Sequence, residues 1–463
     1  MLQLPGVVVR VINDTGIVAP PAYERYPVII GAGDPFKLLL TQPIVRGAGV
    51  ADALPTITNV DQIIGVYRSG NYNYEYALWA GEYALTGNTI DWTGAADEPT
   101  LAETYYVTYT ESRAASAYLP TLYFDGNLIY SDHGSGTRLD TPGTINDVVA
   151  GAILALGAGA RGVIVLQLDY SAAIDPYNPT VGEEQNAYLA AIEQLETITD
   201  FKLFLVPMSS RMLTSTTAAN LLFSHACIAS LPENKQERTV VASQASGTAY
   251  TDAATYAQAY SHERMVCPFP YAGQSQAVAV EGLSTAIQAT TYDSRFYSAA
   301  VAGRLCAADI GINISDEIIA GVNTLGNYKP AVLTYLIQRG VGPSKTRGGV
   351  TRNVYIGTTD TTNALTEDLG VQDTKDYVKK YWREGLWPLF RNKPINSALL
   401  ASINSASVGI LDSLRDRQII DQYANVNVRQ DSMEPRKVYI TGKIKPAFSL
   451  QFIDVTFTFV LSF

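Results

Sequence analysis

Alternation of apolar and polar positions is most regular in the stretch Ser449 to Phe463. Ile453, Val455, Phe457, Phe459, Leu461 and Phe463 fall on one face, with Asp454, Thr456, Thr458 and Ser462 on the other. A period of two in β-branched and aromatic residues predicts a strand. A long apolar strand at a sheet edge is a template for further pairing, so this one is expected to be paired in the native state. The run after Leu4-Pro5-Gly6 is similar: Val7, Val9 and Val11 share one face of a second predicted strand. Asn13 to Gly16 and Pro20-Pro21 then separate it from the body of the chain. Two readings are open for these tethered strands. They pair within their own molecule, or they are donated to neighbouring subunits through backbone hydrogen bonds.

Between the two ends the pattern changes three times. Tyr26 to Gly33 is a wholly apolar run, consistent with a buried strand. From 37 to 114 short strands dominate, at Ile63 to Tyr67, Tyr83 to Leu85, Thr89 to Trp92 and Tyr105 to Tyr109, with Gly87-Asn88 as a tight hairpin. Regular short strands with turn signals suggest a small barrel or sandwich. From 115 to 328 apolar strands (162–168, 201–206, 239–242, 264–267) alternate with amphipathic helices (146–156, 183–198, 216–231, 253–261, 295–310), which predicts a mostly parallel α/β sheet. From 329 to 446 the reading is α+β. After the stretch 331–339, helices are expected over 374–382 and 396–417, and strands at 353–356, 426–428 and 437–440.

A chain of 463 residues exceeds one core and implies several domains. Lys+Arg 33 against Asp+Glu 44 gives a net charge of −11, which argues against nucleic acid or an anionic membrane as the main partner. No apolar run suggests a bilayer span and Met1-Leu2-Gln3 opens no signal peptide, so assembly in a cytoplasm is expected. Cys227, Cys267 and Cys306 are widely spaced and odd in number, as suits buried thiols in a reducing compartment. The 29 tyrosines against 13 phenylalanines favour half-buried surfaces such as subunit contacts.

Chemical motifs are weak. Gly157 to Gly162 spells G-x-G-x-x-G, but it follows a helix and precedes a strand, the reverse of a dinucleotide site, and reads as a helix C-cap and turn. His225-Ala226-Cys227 with His262 and Cys267 lacks the spacing of a zinc site. Asp132-His133-Gly134-Ser135-Gly136 invites a hydrolase reading without the nucleophile-elbow spacing. No cofactor, metal or catalytic residue is therefore expected. Lys375, Lys379 and Arg383, at i, i+4 and i+8 beside Lys380, form a basic stripe on a predicted helix, a candidate docking surface for an acidic partner.

Several stretches together resemble the tail sheath proteins of contractile bacteriophages and related injection machines. They are Leu4 to Val9; Ile90-Asp91-Trp92 with Glu98-Pro99 and Tyr105 to Tyr109; Phe269-Pro270; Val301-Ala302-Gly303-Arg304 with Asp309-Ile310-Gly311; and Arg391 to Pro394 through Ile419-Ile420-Asp421. The resemblance implies an N-terminal arm (1–20), a strand (21–36) belonging to a C-terminal inner domain (329–446), an inserted β domain (37–114), an α/β middle domain (115–328) and a C-terminal strand arm (447–463). It further implies a virion structural protein, not an enzyme. Such a subunit polymerises as stacked rings around a tail tube and meets baseplate and tail terminator proteins. Its sheath contracts to drive the tube through a host envelope for genome ejection, with the arms exchanged between subunits. Lys375, Lys379, Lys380 and Arg383 would face the tube. The competing reading is an oligomeric α/β hydrolase assembled through β-strand exchange.

Overall fold

The computed structural model describes residues 23–448, apart from 35, 57–59, 68–82, 94, 96–97, 113–117, 135, 137–144, 171–173, 176, 209–217, 232–233, 235, 245–246 and 278–290. The two predicted terminal strands, with Val7, Val9 and Val11 and with Ile453, Val455, Phe457, Phe459 and Leu461, lie outside the described residues.

The first described strand, β1 (Arg25–Gly31), has the apolar sequence of a doubly covered strand, and every residue after Arg25 is buried. It is followed by a β-rich insertion: β2 (Phe36–Val45), β3 (Ala51–Ala53), β4 (Val60–Tyr67), β5 (Ala84–Thr86), β6 (Thr89–Asp91) and β7 (Thr104–Ser112). These form two three-stranded antiparallel sheets, β2-β7-β4 and β3-β6-β5, rather than one closed barrel among the described residues. Gly87 adopts φ 59° in the turn between β5 and β6, where Thr86 faces Thr89. The motif residues Ile90, Trp92, Tyr105, Val107 and Tyr109 are the core of this unit. Trp92 and Tyr105 both donate to Asp52, at 3.2 and 2.9 Å, and Arg46 bridges Asp52 and Glu98 at 3.5 and 2.7 Å.

The body then alternates strand and helix: β8 (Thr121–Tyr123), α1 (Gly126–His133), α2 (Asp147–Gly157), β9 (Val163–Gln167), α3 (Val181–Leu195), β10 (Lys202–Pro207), α4 (Ala218–Ala229), β11 (Arg238–Val241), α5 (Tyr250–Tyr260) and β12 (Met265–Phe269). Next come β13 (Gln274–Ala277), β14 (Thr291–Asp293), α6 (Ser294–Ala307), β15 (Val322–Thr324), α7 (Pro330–Ile337), β16 (Val341–Arg347) and β17 (Val350–Asn353). Eight strands form one sheet in the order β17-β16-β12-β11-β10-β1-β9-β8. The six inner strands are parallel, and β17 and β8 add antiparallel edges. Two apolar clusters cover its faces, one under α2 and α6 and the other under α3, α4 and α5. Gly303 of α6 crosses α2 so closely that a Cβ would lie 2.2 Å from the Ala155 carbonyl oxygen. Gly157 to Gly162 does form the end of α2 and the following turn, with Gly159 at φ 108°.

Two boundaries differ from expectation. The strand 25–31 is central in the large sheet, between β10 and β9, and is not part of the C-terminal unit. Its wholly apolar sequence requires cover on both faces, which only that sheet supplies. The α/β layer likewise continues past 328, because α7, β16 and β17 belong to it. Residues 354–356, expected as strand, lie beyond β17.

The C-terminal unit holds α8 (Ala364–Glu367), α9 (Leu369–Phe390), α10 (Ser397–Asp416), β18 (Ile420–Gln430) and β19 (Val438–Pro446), the last two forming a separate two-stranded sheet. Asp368 caps α9 by accepting from Gly370 and Val371, and Asn396 caps α10 by accepting from Leu399 at 2.8 Å. Contrary to the sequence reading, α10 is long and apolar enough by composition to cross a membrane. Here its Ala406, Ile410, Leu411 and Leu414 face is packed in a cluster with Tyr377, Tyr381 and the hairpin.

Candidate functional site

The C-terminal unit meets the α/β body through an ionic seam. α9 lies across the N-terminal ends of the parallel strands, where β1, β10 and β12 begin at or next to a cation: Arg25, Lys202 and Arg264. Arg25 reaches Asp373 at 2.6 Å. Lys202 bridges Asp373 and Asp376 at 3.1 and 3.0 Å. Arg264 clamps Asp376 with two bonds of 2.6 and 2.8 Å. Lys202 and Asp376 are fully buried. Burial alone would raise the Asp376 carboxyl, but Lys202 and Arg264 hold it well below the usual carboxylate range. Arg264 and Arg25 are raised despite burial, chiefly by Asp376 and Asp373 respectively. Two carboxylates one helical turn apart thus hold cations from three separate strands, so the seam fixes where α9 lies.

The basic stripe belongs to the same seam. Lys375 pairs with Glu263 at 3.3 Å and Arg383 with Glu237 at 3.1 Å. Lys380 is buried, donates to the Asp200 carbonyl and lies 3.5 Å from Glu384. Of the four lysine and arginine positions expected to face a partner, Lys379 alone is exposed. The expectation of an open docking stripe is corrected. The stripe faces acidic and carbonyl groups of the chain's own α/β body, which spacing along one helix does not reveal.

The second feature is the β18–β19 hairpin. Its strands pair from Gln430↔Val438 to Ile420↔Pro446, with a register shift between Ala424 and Asn427. Tyr423, Val426, Ile440 and Ile444 turn inward onto α9 and α10. Among the described residues no further strand lies beside either edge. A two-stranded hairpin is marginal alone and is stabilised by a third strand or a packed face. This one has the packed face, and among the described residues both of its edges lack a partner strand. β19 ends three residues before the predicted strand Ser449 to Phe463 begins. Beside the hairpin, Trp382, Trp387, Phe390, Leu399, Val438 and Ile440 line a largely apolar groove of about 1220 Å³.

The candidates for enzyme chemistry sit differently. His133 is buried with Nε2 3.0 Å from the Tyr123 hydroxyl and Nδ1 3.0 Å from Gln167, so both ring nitrogens are engaged in a core network. Ser135 lies outside the described residues. Burial and Arg238 push His225 down to about 4, which keeps it neutral. Cys227 lies 3.8 Å from His262, but burial raises the thiol and lowers the imidazole, and no group of three metal ligands occurs among the described residues. Gly311, at φ 81° with a Cβ position 3.0 Å from Thr374 Oγ1, and Gly303 show that the glycines of the Val301-Ala302-Gly303-Arg304 and Asp309-Ile310-Gly311 stretches serve packing.

No family model and no curated protein matches this sequence. Solved structures do match its fold. A chain of the anti-feeding prophage baseplate superposes with a TM-score of 0.56 at 11% identity, over 75% of this chain and 90% of that one. The sheath complex of an extracellular contractile injection system (PVC) in its contracted state gives 0.53 at 9% identity, over 74% and 87%. The sheath tail protein of Desulfitobacterium hafniense gives 0.50 at 11% identity, over 93% and 94%. The chain therefore has the fold of contractile sheath proteins.

Proposed function

We propose that the chain is the structural subunit of a contractile tail sheath in a phage-like particle, polymerising as stacked rings around a tail tube. The observation that carries this reading is the C-terminal hairpin: a two-stranded sheet with no third strand among the described residues, in a chain whose sequence predicts two further terminal strands and whose fold is that of sheath proteins. The residues of the N-terminal strand (Val7, Val9, Val11) and the C-terminal strand (Ile453, Val455, Phe457, Phe459, Leu461) complete the hairpins of neighbouring copies. Backbone bonds on tethers keep subunits joined while they rotate, so contraction needs no bound nucleotide. Baseplate and tail terminator proteins close the two ends of the cylinder, which forms in the host cytoplasm. The tube contact falls to Lys379 and its surroundings, since Lys375, Lys380 and Arg383 are engaged in the seam.

Negative-stain microscopy of the purified chain over a concentration series tests this reading. Striated hollow cylinders or stacked rings are the expected result. Discrete monomers at every concentration, with and without a tail tube, would overturn it.

A further inference from the structure

Charge is distributed very unevenly along this chain. Residues 369–448 carry 13 Lys and Arg against 8 Asp and Glu, whereas the remainder carries 20 against 36. The C-terminal unit is thus cationic on an otherwise acidic molecule. Three of its cations are drawn into the seam, but Arg391, Lys393, Arg429, Arg436, Lys437 and Lys443 are exposed. Arg391, Lys393 and Arg436 rim the apolar groove, where Trp387 is 67% exposed.

The opposite surface is on α3. Residues 162–201 contain seven acidic residues and no lysine or arginine. The outward face of α3 and the turn after it present Glu193, Glu196 and Asp200 together with the exposed apolar side chains Val181 and Leu189. One surface is an apolar groove with a cationic rim, and the other is an acidic helix face that carries two exposed apolar side chains.

We propose that these two surfaces bind each other between copies of this chain, the groove and hairpin of one subunit receiving the α3 face of another. The contact is heterologous, so a bound pair keeps one free surface of each kind, one on each copy, and the contact propagates instead of closing on a dimer. Charge complementarity fixes the register of the pair, and the exposed apolar side chains on both surfaces supply the buried area. The proposal rests on the reading of the chain as a self-assembling subunit, and it is separate from strand exchange because it uses side chains of the described unit.

A charge swap in the full-length chain tests it. Self-association is followed by sedimentation velocity over a salt series. One variant carries Arg436→Glu, Lys437→Glu and Lys443→Glu, and the other Glu193→Lys and Glu196→Lys, all exposed positions outside the core. Each variant alone is expected to associate at least about tenfold more weakly than the parent, and the parent is expected to weaken as salt rises. An equimolar mixture of the two is expected to regain association. Weakened single variants without recovery in the mixture would overturn the pairing. Association of both variants equal to the parent would place the basic surface against a different acidic partner and also overturn it. If the pairing holds while microscopy shows no cylinders, the sheath reading fails alone. Cylinders formed equally by parent and variants would sink the pairing alone.

Discussion

The eight-stranded sheet and the C-terminal hairpin solve the same backbone problem in opposite ways. Every inner strand of the large sheet has a neighbour on each side and helices on both faces. Its edges are blunted: β8 has only three residues, and β17 is covered by backbone hydrogen bonds from Ile319 N–H to the Thr351 carbonyl (3.0 Å) and from Asn353 N–H to the Glu317 carbonyl (3.1 Å). The hairpin has strands of eleven and nine residues, one packed face, and no strand beside its edges among the described residues. Natural proteins suppress such edges unless pairing is intended. The difference separates a body whose inner strands are all paired from a hairpin that has no third strand among the described residues. The buried seam joins the two, because the hairpin packs on α9 and α9 is ion-paired to the strand beginnings of the sheet.

That contrast can be broken from either side. The largest effect is expected from deleting 449–463, which should abolish ordered polymers while urea unfolding of the α/β body shifts by less than about 0.5 kcal/mol, the range of changes remote from a core. Regular tubes from the truncated chain would remove strand donation from the account. Asp376→Ala, by contrast, leaves Lys202 and Arg264 uncompensated and should cost about 3–5 kcal/mol in urea unfolding at neutral pH. Because the Asp376 carboxyl is held low in the folded state, its contribution is full above the ordinary carboxylate range and is lost as pH falls through the folded value. The gap between parent and variant should therefore stay constant from neutral pH to about pH 5 and close only in stronger acid. A gap that closes between pH 8 and 6 would mean the seam is not what the variant lost.

Smaller effects sharpen the same division. Gly303→Val forces α6 off α2 and should destabilise the body by about 1–3 kcal/mol, leaving assembly intact at temperatures where the chain is folded. Asn396→Ala removes the cap of α10 beneath the hairpin and should cost about 1 kcal/mol, read as a lower melting temperature. His225 has the smallest effect at neutral pH. Its folded value near 4 lies below the ordinary value of 6.5, so stability should fall as pH drops from 6.5 towards 4. His225→Gln should flatten that part of the profile, and an unchanged profile would assign the slope to other groups.

Much of the body was legible in the sequence because parallel buried strands are apolar runs and their helices are periodic. Residues 162–168, 201–206 and 239–242 became β9, β10 and β11 within a residue or two at each end. β16 was not legible, since Val-Gly-Pro-Ser-Lys-Thr-Arg has the composition of a turn and is held as a strand by β12 on one side and β17 on the other. β1 is legible as a strand but its place between β10 and β9 is not, because an apolar run says that it is buried and not against what. The seam shows the same limit. Lys375, Lys380 and Arg383 were visible as a stripe, but Glu263, Asp200 and Glu237 come from different strand beginnings more than 100 residues away. Asp373 and Asp376, one turn apart on an otherwise half-apolar helix, were the available signal for a buried network.

The most direct test of the central claim is amide hydrogen exchange on the full-length chain, compared between unassembled and assembled states. If the hairpin is completed by another copy, amides of Ile420–Gln430 and Val438–Pro446 gain protection on assembly, while those of Arg25–Gly31 and Lys202–Pro207 are protected equally in both states. Hairpin amides that exchange at the same rate before and after assembly would contradict the account.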